Sequence, residues 1–368
     1  MLRQAQHDDK WSYCHAEEQR DEESRGYAKP SYLRHLIVNQ KPNHRLMAKI
    51  AIFCKTSFSH GMGHLVRQSH IAKILRDRKN EITFFIPDYS SAQVWLDQCG
   101  LSHQTSTDVE QASSDLIILD VQDTTAAFIK KLQQDKKAVV SFEDLGEGRN
   151  HVDLLVDCNL DEEKSLGPQV QTLFGHNYAV LAEEFEAYHS KPRVFKNPIE
   201  SVLVTLGGTD PHFLTATLAK KLLHIRPGLS ITLLAGPGNG NIPALKELGS
   251  KHEKVKLLES TSEMAHILFA HEIVFCAGGI TLHEAMALGT PSFVINQVNH
   301  QSDKANRAEK QGASINLGMA DSWDENRLPE ILQSSPKILE QMSQAGKNMI
   351  DGKGLKRVVD AIEELLKT

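Results

Sequence analysis

The stretch from Ile273 to Asn296 restricts the fold more than any other. Ile273 to Cys276 reads as a short buried strand that ends at Gly278-Gly279. An amphipathic helix follows from about Thr281 to Leu288, and Gly289 stops it. Pro291 then leads into a second strand, Ser292 to Asn296. Two short strands joined through a helix pair in parallel, and a parallel sheet needs helices on both faces. Paired glycines between strand and helix let backbone N–H groups approach an anion, and the helix N-terminus adds partial positive charge. Glu284, read as part of the first helical turn, is unsuited to a second anion but can accept two hydrogen bonds from a sugar diol. Diphosphate beside ribose is what a nucleotide-sugar presents. The same residues fit an ordinary strand–turn–helix equally well, with Glu284 as a helix-start charge.

The pattern recurs along the chain. Strands are expected at Lys49–Cys54, Ile82–Ile86, Leu116–Val121, Ala138–Phe142 and Leu154–Cys158. Helices are expected from about His64 to Arg78, at Ala92–Cys99 and at Thr124–Gln134. Near residues 191–198 the chain turns basic and proline-punctuated, as a linker would. The alternation then restarts, with strands at Ser201–Leu206, Ser230–Ala235, Val255–Leu258, Ile273–Cys276, Ser292–Asn296 and Ala313–Leu317. Their helices run from about His212, Ile242, Thr261, Thr281 and Gln301, and the stretch after Asn326 is helical. The expectation is an α/β protein of two Rossmann-like domains, 47–190 and 199–368, facing each other across a cleft. In such folds ligands sit at the carboxyl ends of the strands. Residues 1–46 are polar and lack a sustained apolar period, so they read as a disordered or weakly helical extension, with Met47 a possible functional start.

Net charge −6 argues against nucleic acid as the main partner. No apolar run reaches the roughly 20 residues of a transmembrane segment, and no signal-peptide pattern stands at the N-terminus, so a cytoplasmic location is expected. Five cysteines without a C-x-x-C read as reduced, with Cys54, Cys158 and Cys276 in or beside strands acting as small apolar residues.

His64 follows Gly61-Met62-Gly63 directly after the first strand. The glycines permit close approach, and the helix start would expose the ring and favour neutral imidazole, the form of a general base. A capping or buried histidine is the other reading. His60 and His64 have helical metal-ligand spacing, but the intervening glycines indicate a loop and no third ligand is evident, so no metal is expected. Gly207-Gly208-Thr209-Asp210 is a second glycine-rich turn with Asp210 as N-cap, suited either to approach phosphate or sugar or simply to turn the chain. In Gly236-Pro237-Gly238-Asn239-Gly240 the third glycine of G-x-G-x-x-G falls at Asn241, so this reads as a surface loop and weakens an NAD oxidoreductase. No Asp-x-Asp pair occurs, which disfavours metal-dependent nucleotide-sugar transferases. In Asn299-His300-Gln301, Gln301 suits sugar hydroxyls and His300 proton transfer or phosphate, although a polar loop with a helix cap fits these residues somewhat better.

In order, Gly61-Met62-Gly63-His64-Leu65-Val66-Arg67, Gly175 to Phe185, Gly207 to Asp210, Ala277 to Pro291 and Asp351-Gly352-Lys353-Gly354 with Arg357 resemble the SpsG/PseG family. That family includes the UDP-sugar hydrolase of pseudaminic acid biosynthesis and is related to MurG-type glycosyltransferases. The resemblance implies a GT-B fold, a UDP-sugar donor and no separate cofactor. It also implies His64 as catalytic histidine, Gly278, Gly279 and Thr281 as the diphosphate loop, Glu284 near the ribose and Met264 beside the uracil. Two positions depart from the hydrolases. Gln122 stands where they have the tyrosine of D-x-Y, and His300 where they have the asparagine of Asn-Gln. Gln122 cannot titrate like a phenol. The leading expectation is therefore a metal-independent glycosyltransferase of cell-surface or capsular polysaccharide biosynthesis, acting on an unknown acceptor. A UDP-sugar hydrolase using water comes second, and a non-catalytic sugar-nucleotide-binding protein is the reading from another class.

Overall fold

The computed structural model describes residues 47–57, 61–160, 166–236 and 238–367. The expected extension 1–46, His60 and Pro237 lie outside the described residues.

The first half runs β1 (Lys49–Cys54), α1 (Gly63–Asp77), β2 (Glu81–Ile86), α2 (Ser90–Gln98), β3 (His103–Thr105), β4 (Leu116–Asp120), α3 (Ala126–Leu132), β5 (Ala138–Phe142), β6 (Leu154–Asp157), β7 (Gln171–Phe174) and α4 (Glu184–His189). The second runs β8 (Ser201–Thr205), α5 (Leu214–Ile225), β9 (Ser230–Leu234), α6 (Ile242–Lys251), β10 (Val255–Leu258), α7 (Met264–Ala270), β11 (Ile273–Cys276), α8 (Ile280–Leu288), β12 (Ser292–Asn296), α9 (Asn299–Lys310) and β13 (Ser314–Met319). Three helices close the chain: α10 (Leu328–Leu332), α11 (Pro336–Met349) and α12 (Gly354–Leu365).

All strand pairs are parallel, in the orders β3-β2-β1-β4-β5-β6-β7 and β10-β9-β8-β11-β12-β13. Each sheet is therefore an α/β doubly wound layer, as the alternation of strands and helices required. The two-residue period of a strand divides each sheet between two cores. Ile50, Ile52 and Cys54 pack on one face of the first sheet while Ala51 packs on the other. In the second sheet Ile273 and Phe275 face one core, Val274 and Cys276 the other.

The termination of α8 shows how local chemistry fixes a boundary. Gly289 takes φ +64°, a left-handed conformation that glycine adopts at little cost. Its N–H donates to Met286 O at 3.0 Å and Thr290 N–H to Ala285 O at 2.8 Å, satisfying carbonyls the helix end leaves open. The helix begins one residue earlier than its sequence suggests, at Ile280, so Glu284 falls in the second turn and not the first.

Three elements had little sequence signal. β3 and β7 are short edge strands with half-exposed or exposed residues, and α4 has six residues with Phe185 its only fully buried one. The last helix, α12, crosses to the first half. Leu355, Val358, Val359 and Ile362 join the core beneath the first sheet, and Arg78, which caps the end of α1, donates to Asp360 at 2.9 Å and Glu363 at 2.7 Å. No helix of the described residues is long and apolar enough to cross a membrane.

Candidate active site at the switch points of the two sheets

Strand order reverses between β1 and β4 in the first sheet and between β8 and β11 in the second. Loops leaving the carboxyl ends of such neighbours diverge and open a crevice. One cavity of ≈ 1160 Å³ collects these loops from both halves. Gly61, Gly63 and His64 enter it after β1, Gly207 and Gly208 after β8, and Gly278, Gly279, Thr281 and Glu284 after β11. Met264, His300 and Gln301 also line it, so the expected catalytic histidine and the expected nucleotide-sugar contacts meet in one cleft. The glycine loops face each other directly: a Cβ on Gly208 would lie 3.6 Å from the Met62 Cβ.

The register Cys54↔Asp120 sets the carboxyl end of β4 beside that of β1. It brings Asp120 under α1, where His64, Arg67 and Gln68 share one face at i, i+3 and i+4. The His64 Nδ1 lies 2.6 Å from Asp120 Oδ1. Arg67 closes on the same carboxylate with Nη2 at 2.7 Å and Nε at 3.0 Å, and Gln68 Nε2 donates to Oδ2 at 2.8 Å. Arg67 Nη1 reaches Glu143 Oε1 at 2.6 Å. Asp120 is fully buried, and burial alone would raise its carboxyl; the charges of Arg67 and His64 outweigh it and hold the group below its usual range. Glu143 behaves likewise: burial opposes its ionisation, and Arg67, Lys304 and His64 hold it well below the ordinary value. Glu143 also keeps φ +49°, a costly backbone for a non-glycine residue.

A carboxylate on Nδ1 fixes which ring nitrogen carries the proton. Arg67 Nη2 lies 3.3 Å from Nδ1 but has only protons to offer, so the Nδ1 proton goes to Asp120. In the neutral ring Nε2 then carries the lone pair, as a general base requires. The orienting group is thus Asp120, whereas the sequence pointed to the helix N-terminus. An aspartate closing an apolar run, Leu116 to Asp120, was the available signal.

In the second half, Gly278 leaves no room for a side chain. An added Cβ would stand 2.5 Å from Asn296 Oδ1 and 2.7 Å from Gln301 O. Gly278→Ala is therefore expected to push the start of α9 away and, for the UDP ligand that the resemblance implies, to weaken binding by at least about tenfold, the scale of one lost charge-assisted hydrogen bond, as titration calorimetry would read. Gln301 Oε1 accepts from Gln297 N at 2.8 Å, which leaves its amide nitrogen to donate toward the Gly279 side.

Glu284 is buried, and desolvation pushes its carboxyl up to about 7, with the Glu184 charge adding and a hydrogen bond from Thr281 opposing. Below that pH the group is protonated and loses acceptor capacity for a ribose diol. For the UDP ligand that the resemblance implies, affinity should accordingly rise as pH increases from 6 to 8, and Glu284→Gln should flatten the profile; calorimetry at three pH values checks both.

Several expectations need correction. Asp210 is not the N-cap of α5, which Phe213 occupies, yet its carboxylate accepts from Leu214 N at 3.0 Å and Thr215 N at 2.9 Å. Gly236 and Gly238 are half-buried and packed closely against other loops, more than a plain surface loop requires. A Cβ on Gly236 would lie 2.3 Å from Gly208 Cα, and one on Gly238 2.8 Å from Tyr89 Oη of the first half. Cys158, by contrast, keeps the expected character of a small apolar residue: it lines the cleft, and burial, then Glu143, drives its thiol well up. Glu143, His283 and Lys304, which carried no recognisable motif, also line the cleft.

Residues 201–365 match the glycosyltransferase family 28 C-terminal domain. The chain is 26% identical over 336 residues to the spore coat polysaccharide biosynthesis protein SpsG of Bacillus subtilis strain 168, covering 86% of this chain and 98% of that one. In fold it is similar to MurG of Acinetobacter baumannii, with TM-score 0.62 and 11% identity over 86% of this chain and 99% of the other. It is also similar to a UDP co-structure of S. aureus MnaA, with TM-score 0.60 and 14% identity over 87% and 97%.

Proposed function

We propose that this chain, whose residues 201–365 match the glycosyltransferase family 28 C-terminal domain and which is similar to SpsG, is a glycosyltransferase taking a UDP-sugar donor without a metal ion. The proposed setting is cytoplasmic synthesis of a cell-surface or capsular polysaccharide, in keeping with the description of SpsG. Gly278, Gly279 and Thr281 hold the diphosphate in this reading, Glu284 the ribose, Met264 the uracil edge, and His300 and Gln301 the sugar. Gly207 and Gly208 admit the donor closely, as Gly61 and Gly63 do from the opposite loop. His64 Nε2 takes the proton of an acceptor hydroxyl as the acceptor oxygen bonds to the anomeric carbon. The bond from that carbon to the diphosphate oxygen breaks, and its electron pair leaves with UDP.

The observation that carries transfer over hydrolysis is the wall opposite the donor. Val66, His70, Lys73, Ile74, Ser90, Val94, Trp95 and Gln98 extend the cleft along α1 and α2, beyond the diphosphate loop. The ≈ 1160 Å³ cavity exceeds the roughly 300–1,000 Å³ common for single small-ligand sites. An apolar face with polar edges suits an acceptor, and a site for water alone needs none of it. Gln122, which lines the same cleft after β4, offers no titrating phenol.

The test is incubation with a panel of UDP-sugars, scoring UDP and free sugar with and without acceptors from cell extract. UDP release that depends on acceptor supports the proposal. Equal amounts of UDP and free sugar without acceptor would make the protein a hydrolase. Binding without release would make it a sensor, and failure to bind any UDP-sugar removes the donor reading.

A further inference from the structure

Nε, Nη1 and Nη2 of Arg67 each already donate to Asp120 or Glu143, so two carboxylates match its charge. Lys73 lines the cleft from α1, on the acceptor wall. Lys304 lines it from α9, on the side of the glycine loop. It is half-buried and makes no hydrogen bond or ion pair with another described residue. Its charge acts through space on Glu143, Asp157, Cys158 and His283. Of these, Glu143 is already bonded to Arg67, and burial followed by the Glu143 charge raises the Asp157 carboxyl. His283 belongs to α8, the helix that starts at the glycine loop, and burial holds its imidazole neutral.

The placement of α9 gives Lys304 its reach. Gln301 backs directly onto Gly278, and Lys304 follows it by three residues on the same face. That is about one turn, or roughly 5 Å, along the helix, and a lysine stem of four methylenes spans such a distance. Lys304 thus lines the same cleft as the loop that would bind the diphosphate, and its charge reaches Glu143, the partner of Arg67.

We infer that Lys304 is the cation that binds the terminal phosphate of the donor's diphosphate and offsets its charge as the glycosidic bond breaks. This rests on the donor reading given above. When the bond from the anomeric carbon to the phosphate oxygen cleaves, the electron pair stays on the diphosphate, whose negative charge rises by one. Lys304 remains protonated throughout, and its hydrogen bond strengthens with that charge. Such an interaction favours the transition state over the bound donor.

Calorimetry with UDP and UMP on the full chain separates the possibilities. Lys304→Gln should weaken UDP roughly 10- to 100-fold, the range of a charge-assisted hydrogen bond, and leave UMP within about twofold. Lys304→Arg should keep most of the UDP affinity. The rate of UDP release at saturating donor should fall by about 10²-fold or more in Lys304→Gln, beyond any change in KM. Should Lys304→Gln fail to fold, Lys304→Met, which keeps the apolar stem, is read in its place. Unchanged UDP affinity, or equal losses for UDP and UMP, would overturn the assignment. A parent protein that binds neither nucleotide overturns the donor reading itself, a result visible before any variant is made.

Discussion

His64→Ala is expected to cut turnover by about 10²- to 10⁴-fold, the usual contribution of a positioned general base, with UDP affinity within about twofold of the parent. His64 belongs to the first half, reaching the cleft from the second residue of α1, whereas the proposed nucleotide contacts lie after β11 and along α7 and α9. The substitution removes the lone pair on Nε2 without disturbing Gly278 or Glu284. Stopped-assay UDP release and calorimetry, run in parallel, check the two halves of the statement. Equal loss of rate and of UDP affinity would mean that His64 binds the donor and is not the base.

Asp120→Ala is expected to destabilise the fold by roughly 3–5 kcal/mol, because it strands the buried Arg67 guanidinium without its bidentate partner. His64 Nδ1 and Gln68 Nε2 lose an acceptor in the same step. Asp120→Asn keeps the shape and one acceptor oxygen, so its stability loss should be smaller. Its turnover should still fall sharply, since the amide cannot hold the imidazole in the same tautomer with the same charge. Denaturant unfolding should show a lower midpoint at unchanged slope for both variants. A midpoint for Asp120→Ala equal to that of the parent would show that water or Glu143 compensates the guanidinium. The pH dependence has the same origin. Asp120 and Glu143 have carboxyls held below their unfolded values, so their stabilisation is complete above the ordinary carboxylate range. It is lost as pH falls through that range and below it.

Much of the site was legible in the order of residues. Gly278, Gly279, Gly289 and Pro291 punctuate a strand–helix–strand unit, and nearest-neighbour chemistry alone marks that punctuation. The helical face shared by His64, Arg67 and Gln68 can also be read from spacing. The position of Glu284 was less secure, because α8 starts one residue early and nearly all its side chains are buried, leaving no amphipathic phase to set its register.

Periodicity and backbone freedom along the chain suffice for two parallel α/β layers and for the places of their glycine turns. What those turns face is set by packing between distant segments. Asp120 stands 56 residues from His64, and only the β1–β4 pairing makes them neighbours. Glu143 arrives from β5, and His283 and Lys304 from the opposite half. Gly236, legible as a turn, proved to be a contact surface because Gly208 packs onto it without space for a Cβ. The physical reason is common to all of them. Burial and charge pairing across a sheet depend on strand order, and strand order is fixed by which apolar faces pack together, not by the spacing of residues along the chain.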